Sequence, residues 1–262
     1  MNYKKKKVNA SVDERVERER FGYGKVIKNR QSFCKVVGFA NAYSDEDVVA
    51  NKIKKYFSGS NNKVFLEIGS TTWFEWLENN NLCPLKIYAI NITEEELEKG
   101  KRLAVDANNK PIFNIMDAHN LSFDDEMFDV VFGKGIMHHL DLHTSLKEIK
   151  RVLRTGGLAM FLEPLNINPF SKVFRYFTPS LRTYDEEAFG FKQLALFKNT
   201  FSVACFFPSQ LTVVPLGVLS KFLFKRPKNP LTYVGSKIDE MLFRFIPFLK
   251  FLYRKMLIVC YK

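Results

Sequence analysis

The sequence has no run of about 18 uncharged apolar residues, so a membrane-spanning helix is not expected. Its basic start, Met1-Asn2-Tyr3-Lys4-Lys5-Lys6-Lys7, is followed by no apolar stretch and does not read as a signal peptide. Cysteine is scarce. Cys34, Cys83, Cys205 and Cys260 lie far apart and match no metal-ligand spacing, which fits reduced thiols in a cytoplasmic protein. The histidines form no His-Glu-x-x-His pattern, and no metal is expected. The middle of the chain also lacks positive charge. Of the net charge of +12, residues 1–30 carry +6 (ten Lys/Arg, four Asp/Glu) and residues 221–262 carry +8 (ten and two), leaving −2 for 31–220. A nucleic-acid enzyme more often concentrates positive charge around its cleft, so no nucleic acid is expected as partner. Basic ends fit solvated surface or contact with an anionic partner.

What is present is enough apolar material for a full core: 46% of 262 residues, with 26 phenylalanines. The chain is organised around residues 64–72. Val64 to Ile68 is a short apolar run carrying one carboxylate, Glu67. Gly69 breaks it, and Trp73, Phe74, Trp76 and Leu77 open a helical pattern. Strand, turn and helix in that order start a doubly wound α/β domain, which binds ligands at the carboxyl ends of its strands.

The rest follows in order. Residues 1–20 are highly charged and read as disordered or frayed. A helix is expected from Ser44-Asp45-Glu46-Asp47, with Val48, Val49, Ile53 and Phe57 on one face. Ser58-Gly59-Ser60-Asn61-Asn62 is a linker. Strands are expected at 85–90, 112–116, 128–132 and 158–162. Thr93-Glu94-Glu95-Glu96 reads as a capping box opening a helix to about Ala107. A helix over 142–154, with Leu142, Leu146, Ile149 and Leu153 on one face, is stopped by Thr155-Gly156-Gly157. Strands alternating with helices predict a mostly parallel sheet covered on both faces.

Leu66-Glu67-Ile68-Gly69, Ile90-Asn91-Ile92-Thr93, Met116-Asp117-Ala118, Phe128-Asp129-Val130-Val131, His138-His139-Leu140 and Arg151-Val152-Leu153-Arg154-Thr155-Gly156-Gly157 occur in this order. With that ordered set, residues 60–165 resemble the class I S-adenosylmethionine-dependent methyltransferases of the small-molecule, type 11 group. The resemblance implies a Rossmann-like, seven-stranded α/β sheet with a reversed edge hairpin, S-adenosyl-L-methionine as cofactor, and a place in small-molecule biosynthesis. It assigns Glu67, Gly69, Ser70 and Thr71 to the amino-acid and ribose side of the cofactor. Asn91 and Ile92 fall to the ribose hydroxyls, Asp117 and Ala118 to the adenine, and Gly133 and Lys134 to the region of the sulfonium. The family usually has Gly-x-Gly-x-Gly after the first strand and an acid at the end of the second. Here Ser70-Thr71-Thr72 and Asn91 stand there instead.

Catalysis needs mainly a nucleophile held close and a proton removed. His138, His139, Glu163 and Tyr184 are the candidates, each with a structural role as the alternative. His139 and His143, four apart, could also share a helical face with Asp141 near them. Residues 163–187 are the candidate substrate region, with Arg, Tyr and acids as a candidate wall, although Asp185-Glu186-Glu187 equally reads as a helix start. Strands at 201–207 and 256–261 flank an insertion over 208–255, rich in Leu, Phe and Lys. It reads as a pocket cover or core, a partner surface, or an apolar helix in a membrane interface.

The division expected is an N-terminal extension with lid helices (1–57), a cofactor core (58–207), the helical insertion (208–255) and a terminal edge strand (256–262). The function expected is methyl transfer to an O or N nucleophile of a small molecule or small peptide. The alternatives are a fold repurposed for a reaction such as cyclisation, or a non-catalytic binding module.

Overall fold

The computed structural model describes residues 11–21, 39, 50–69, 73–169, 172, 176, 186–187 and 189–262. Its centre is a seven-stranded sheet in the order β3-β2-β1-β4-β5-β7-β6. The strands are β1 (Val64–Ile68), β2 (Lys86–Asn91), β3 (Ile112–Ile115), β4 (Phe128–Lys134), β5 (Leu153–Pro164), β6 (Val203–Ser209) and β7 (Lys255–Tyr261). β1 to β5 run parallel. β7 is antiparallel to both β5 and β6, so β6 runs with the others. The expected α/β class and reversed pair are present. The last strand is not at the edge, however. β7 fills the gap between β5 and β6, and β6 is outermost.

Strand alternation distributes the core to two faces. Along β5, Leu158, Met160 and Leu162 point to one layer, and Ala159 and Phe161 to the other. One face is covered by α2 (Ala50–Phe57), through Ile53 and Phe57, and by α3 (Trp73–Asn79), through Trp73, Phe74 and Leu77. The opposite face is covered by α5 (Leu142–Val152), through Leu142, Leu146, Ile149 and Val152, and by α6 (Phe191–Thr200), through Leu194 and Phe197. α4 (Glu94–Leu103) packs beside β2 and β3. Rings of Phe57, Phe65 and Phe132 meet edge-on at 5.0–5.9 Å, one reason for so much phenylalanine.

Several local expectations change. Residues 12–21, all but the last within the stretch read as disordered, form a helix, α1. Their charged side chains are used as contacts on the site. The start of the helix expected from Ser44, with Val48 and Val49, lies outside the described residues. Thr93 does occupy the N-cap of α4, but its side chain makes no cap bond. Its hydroxyl donates to Asn91 Oδ1 instead, at 3.0 Å. α5 stops at Leu153, which is already extended (φ −78°, ψ 134°). β5 therefore begins before the glycines, and Gly156 (φ +74°) bends the strand where its pairing with β4 shifts register. Glu186 and Glu187 are not helical, and α6 begins at Phe191 after the Gly190 cap.

The insertion between β6 and β7 is a helical hairpin of α7 (Val213–Leu223) and α8 (Pro230–Phe245), closed by a short 3-10 turn at Pro247–Leu252. Asn229 caps α8, accepting from the amides of Leu231 and Thr232. Buried Asp239 accepts from the amides of Leu211 and Thr212 at 2.8 and 2.6 Å, pinning the entrance of α7 to α8. Tyr253 Oη donates to the Asp239 carbonyl at 2.7 Å, tying the exit to the same point.

Candidate active site

A cavity of about 360 Å³ opens at the carboxyl ends of β1, β2, β3 and β4, where a doubly wound sheet reverses its order. α3, α4 and the loop after β4 form its walls, and α1 contributes Arg15, Val16 and Glu19.

The first wall is the turn after β1. Gly69 has φ +91°, and a Cβ there would lie 2.6 Å from Ile136 Cγ1. Both the backbone turn and the packing therefore exclude a side chain. Gly69 N–H donates to the Ile90 carbonyl at 2.8 Å, and Asn91 Nδ2 donates to the Gly69 carbonyl at 2.5 Å. The Asn91 amide oxygen accepts from Thr93 N–H and Thr93 Oγ1. Asn91 thus lines the cavity, and its amide also joins the first turn to the second strand. A carboxylate could not donate that bond to Gly69.

The second wall follows β3. Asp117 Oδ1 accepts from His119 N–H at 3.0 Å and lies 2.6 Å from His119 Nδ1. On the far side of the ring, His119 Nε2 accepts from Asp141 N–H at 2.8 Å. A nitrogen that accepts from an amide carries no proton, so His119 is neutral, with its proton on Nδ1 facing Asp117. Burial raises the Asp117 pKa, but the bonds from His119 outweigh it and hold the carboxyl below its ordinary value. Both bonds fall on Oδ1, leaving Oδ2 for the cavity. His119 was missed in the sequence; its only signal was its place two residues after Asp117.

The third wall is the loop after β4. Glu163, at the end of β5, is fully buried. Its Oε1 accepts from the amides of Ile136 and Met137 at 3.1 and 2.9 Å, and its Oε2 lies 2.7 Å from His138 Nδ1. Desolvation pushes this carboxyl up to about 7, against the opposing pull of those donors. The His138 and His139 rings lie 4.2 Å apart. His139 Nδ1 lies 3.0 Å from Glu19 Oε2, and Arg15 Nε donates to the His139 carbonyl at 3.0 Å. α1 is thereby latched across the site. Arg20 Nε adds a bond to the Ile92 carbonyl, at 3.2 Å.

Of the residues named from the sequence, Gly69, Asn91, Ile92, Asp117, Ala118, Lys134 and His139 all line this cavity. Glu67, Gly133, His138 and Glu163 stand behind the walls. Glu67 is buried and accepts from Trp73 N–H at 3.2 Å, holding the start of α3. Gly133 lets Ile136 pack against β4. Ser70, Thr71 and Tyr184 lie outside the described residues, as does most of the 166–187 segment. His143 is exposed on α5 and shares no face with buried His139. Among the described residues, His138, His139 and Glu186 bring one ligand-type atom each within 4.8 Å of one another. Glu187 N–H donates to the His138 carbonyl at 2.8 Å, which holds that stretch beside the histidines.

Comparison with known proteins agrees with this architecture. Residues 66–161 match the family described as "Methyltransferase domain". The demethylmenaquinone methyltransferase of Staphylococcus saprophyticus is 36% identical over 91 residues, covering 34% of this chain and 38% of that protein. The sarcosine/dimethylglycine N-methyltransferase of Halorhodospira halochloris is 30% identical over 83 residues, covering 30% of each. The chain thus spans well under half the length of these curated relatives. Among solved structures, the Haemonchus contortus phosphoethanolamine N-methyltransferase 2 in complex with S-adenosyl-L-methionine superposes with a TM-score of 0.59 at 14% identity, over 87% of this chain and 56% of that one. That likeness is one of fold. Residues 66–161 thus match a methyltransferase domain, carried on a sheet with a cavity at its switch point.

Proposed function

We propose that this protein transfers the methyl group of S-adenosylmethionine to an oxygen or nitrogen of a small molecule or small peptide, as a cytoplasmic biosynthetic enzyme. The observation that carries this reading is Asp117, ionised, oriented by neutral His119 and facing the cavity. A carboxylate so fixed is an acceptor for an exocyclic adenine amine. Gly69 removes the side chain that would obstruct the first turn, and Ile92 and Ala118 offer apolar wall to a flat base. The donor set fits the cofactor. When bound, S-adenosylmethionine supplies a methyl group on a cationic sulfonium.

The chain's own residues then hold the acceptor and receive its proton. Glu19 keeps the His139 proton on Nδ1, which makes Nε2 the basic atom of the one histidine candidate that lines the cavity. Glu163 and His138 act through the loop they hold and are positioning residues in this reading. α1 serves as a lid, 58–207 as the cofactor core, and the insertion as a separate element. The relatives named above carry small-molecule methyl acceptors in their names. These names favour methyl transfer over a repurposed cyclisation.

Isothermal titration with S-adenosylmethionine and S-adenosylhomocysteine tests the reading. Micromolar binding of both, lost in Asp117→Ala, supports it. A folded protein that binds neither overturns it.

A further inference from the structure

The helical hairpin over 213–252 is built inside out. The positions that α7 and α8 turn inward are mostly small or polar: Gly217 and Ser220 beside Val213 on α7, and Thr232, Gly235, Ser236 and Asp239 on α8. At Gly235 a Cβ would sit 3.0 Å from the backbone of Val213, so the helices touch nearly backbone to backbone. Several large apolar side chains are outside. Phe222 is 81% exposed, Phe248 74%, Phe245 72% and Leu223 67%. A water-facing helix pair has the opposite arrangement, with apolar residues in the seam and polar ones outside. Small residues in the seam and large apolar ones outside are how helices pack when the surroundings are lipid.

Charge identifies the surroundings further. Residues 213–255 contain nine Lys/Arg and two Asp/Glu, a net +7. One of those two acids, Asp239, is buried in the hairpin. Lys221 and Lys225 bracket Phe222 in sequence, and Arg244 and Lys250 bracket Phe245 and Phe248. Basic groups among exposed phenylalanines suit an anionic lipid surface, where the rings enter the headgroup layer and the cations stay among the phosphates. No helix among the described residues is long and apolar enough to cross a membrane. The contact is therefore in the plane of the surface. The hairpin leaves β6 at Ser209, which pairs with Lys255, as Pro164 at the end of β5 does. It therefore springs from the same end of the sheet as the cavity.

We infer that α7, α8 and the turn after them form a peripheral docking surface for an anionic phospholipid bilayer. The inference stands apart from the methyltransferase reading and is tested separately. Full-length protein is sedimented with vesicles of phosphatidylcholine alone and of phosphatidylcholine and phosphatidylglycerol in equal parts. Retention is expected on the anionic vesicles, weak on the neutral ones, and reduced by added salt. Phe222→Glu with Phe245→Glu is expected to weaken retention by about tenfold or more. The milder Phe222→Ser with Phe245→Ser weakens it in the same direction and covers a failure of the charged variant to fold. Cofactor titration of each variant checks the rest of the fold. No retention on anionic vesicles, or retention untouched by the serine variant, overturns the inference. So does a protein that bypasses vesicles but forms dimers lost in that variant, since a second copy would then be what covers the face.

Discussion

His119 stands between two acidic residues, its Nδ1 2.6 Å from the Asp117 carboxylate and its Nε2 accepting from the Asp141 amide at 2.8 Å. One ring thus joins the Asp117 wall of the cavity to the N-cap of α5, where Asp141 accepts from Thr144 N–H at 2.9 Å. Asp117→Asn replaces a charged acceptor by an amide that must turn one side to His119. Its affinity for S-adenosylhomocysteine is expected to fall by about tenfold to a hundredfold, the worth of a hydrogen bond to a charged group. Titration calorimetry reads this directly.

His119→Phe keeps the bulk of the ring but removes both of its bonds. The amide of Asp141 loses its acceptor, and Asp117 loses the partner that holds its pKa down. A loss of about 2 kcal/mol in unfolding free energy is expected, together with weaker cofactor binding. The wild-type contribution of Asp117 has a definite pH sign. Its pKa is lowered in the folded protein, so this stabilisation is present above the ordinary value of 3.8 and lost as pH falls through the lower folded one. Cofactor affinity is therefore expected to survive mild acid.

Glu163 has the opposite sign. Burial raises its pKa from 4.5 to about 7, so the folded protein favours the protonated acid. Its stabilisation is complete below pH 4.5 and declines as pH rises towards about 7, a change of up to about 3 kcal/mol. Glu163→Gln retains an acceptor for the amides of Ile136 and Met137 and abolishes the titration. Urea unfolding across this window is expected to give a flatter pH profile for the Gln variant. Glu163→Ala leaves those amides unpaired and costs about 3 kcal/mol or more.

Gly69→Ala is expected to destabilise by about 3 kcal/mol, from the positive φ and the clash with Ile136 together. Gly156→Ala shares a positive φ, +74°, but meets nothing within 4 Å, and should cost about 1 kcal/mol. Thermal unfolding of the two variants separates strain from steric exclusion.

Glu19→Ala removes the latch between α1 and His139. Cofactor affinity is expected to drop severalfold. The Glu19→Gln variant, which still accepts a bond from His139 Nδ1, should lose less. Equal affinities in wild type and Glu19→Ala would show that α1 does not retain the cofactor.

The order of strands and the motif residues at their ends were legible in the sequence because both depend on local pattern. Gly69, Asp117 and Ala118 end up on the cavity. What escaped depends on partners distant in sequence. The charged composition of 12–21 hides a helix whose acid meets a histidine 120 residues away. That the Asn91 amide also reaches the Gly69 carbonyl could not be read from its position in the sequence. Glu67 and Glu163 look like site carboxylates, and the fold turns both inward onto backbone amides. The insertion's apolar residues read as core because composition does not say which helix face is buried.

The interior position of β7 has a kinetic consequence. β5 and β6 are both made earlier in the chain, yet neither pairs with the other, and each must wait for β7 to enter between them. Nearly a hundred residues separate β5 from its partner, so this closure carries the largest loop-closing entropy in the sheet. Until it happens, two strand edges stand open to other chains. Folding is expected to end in a slow, concentration-sensitive step, and a chain cut before Lys255 to aggregate rather than fold.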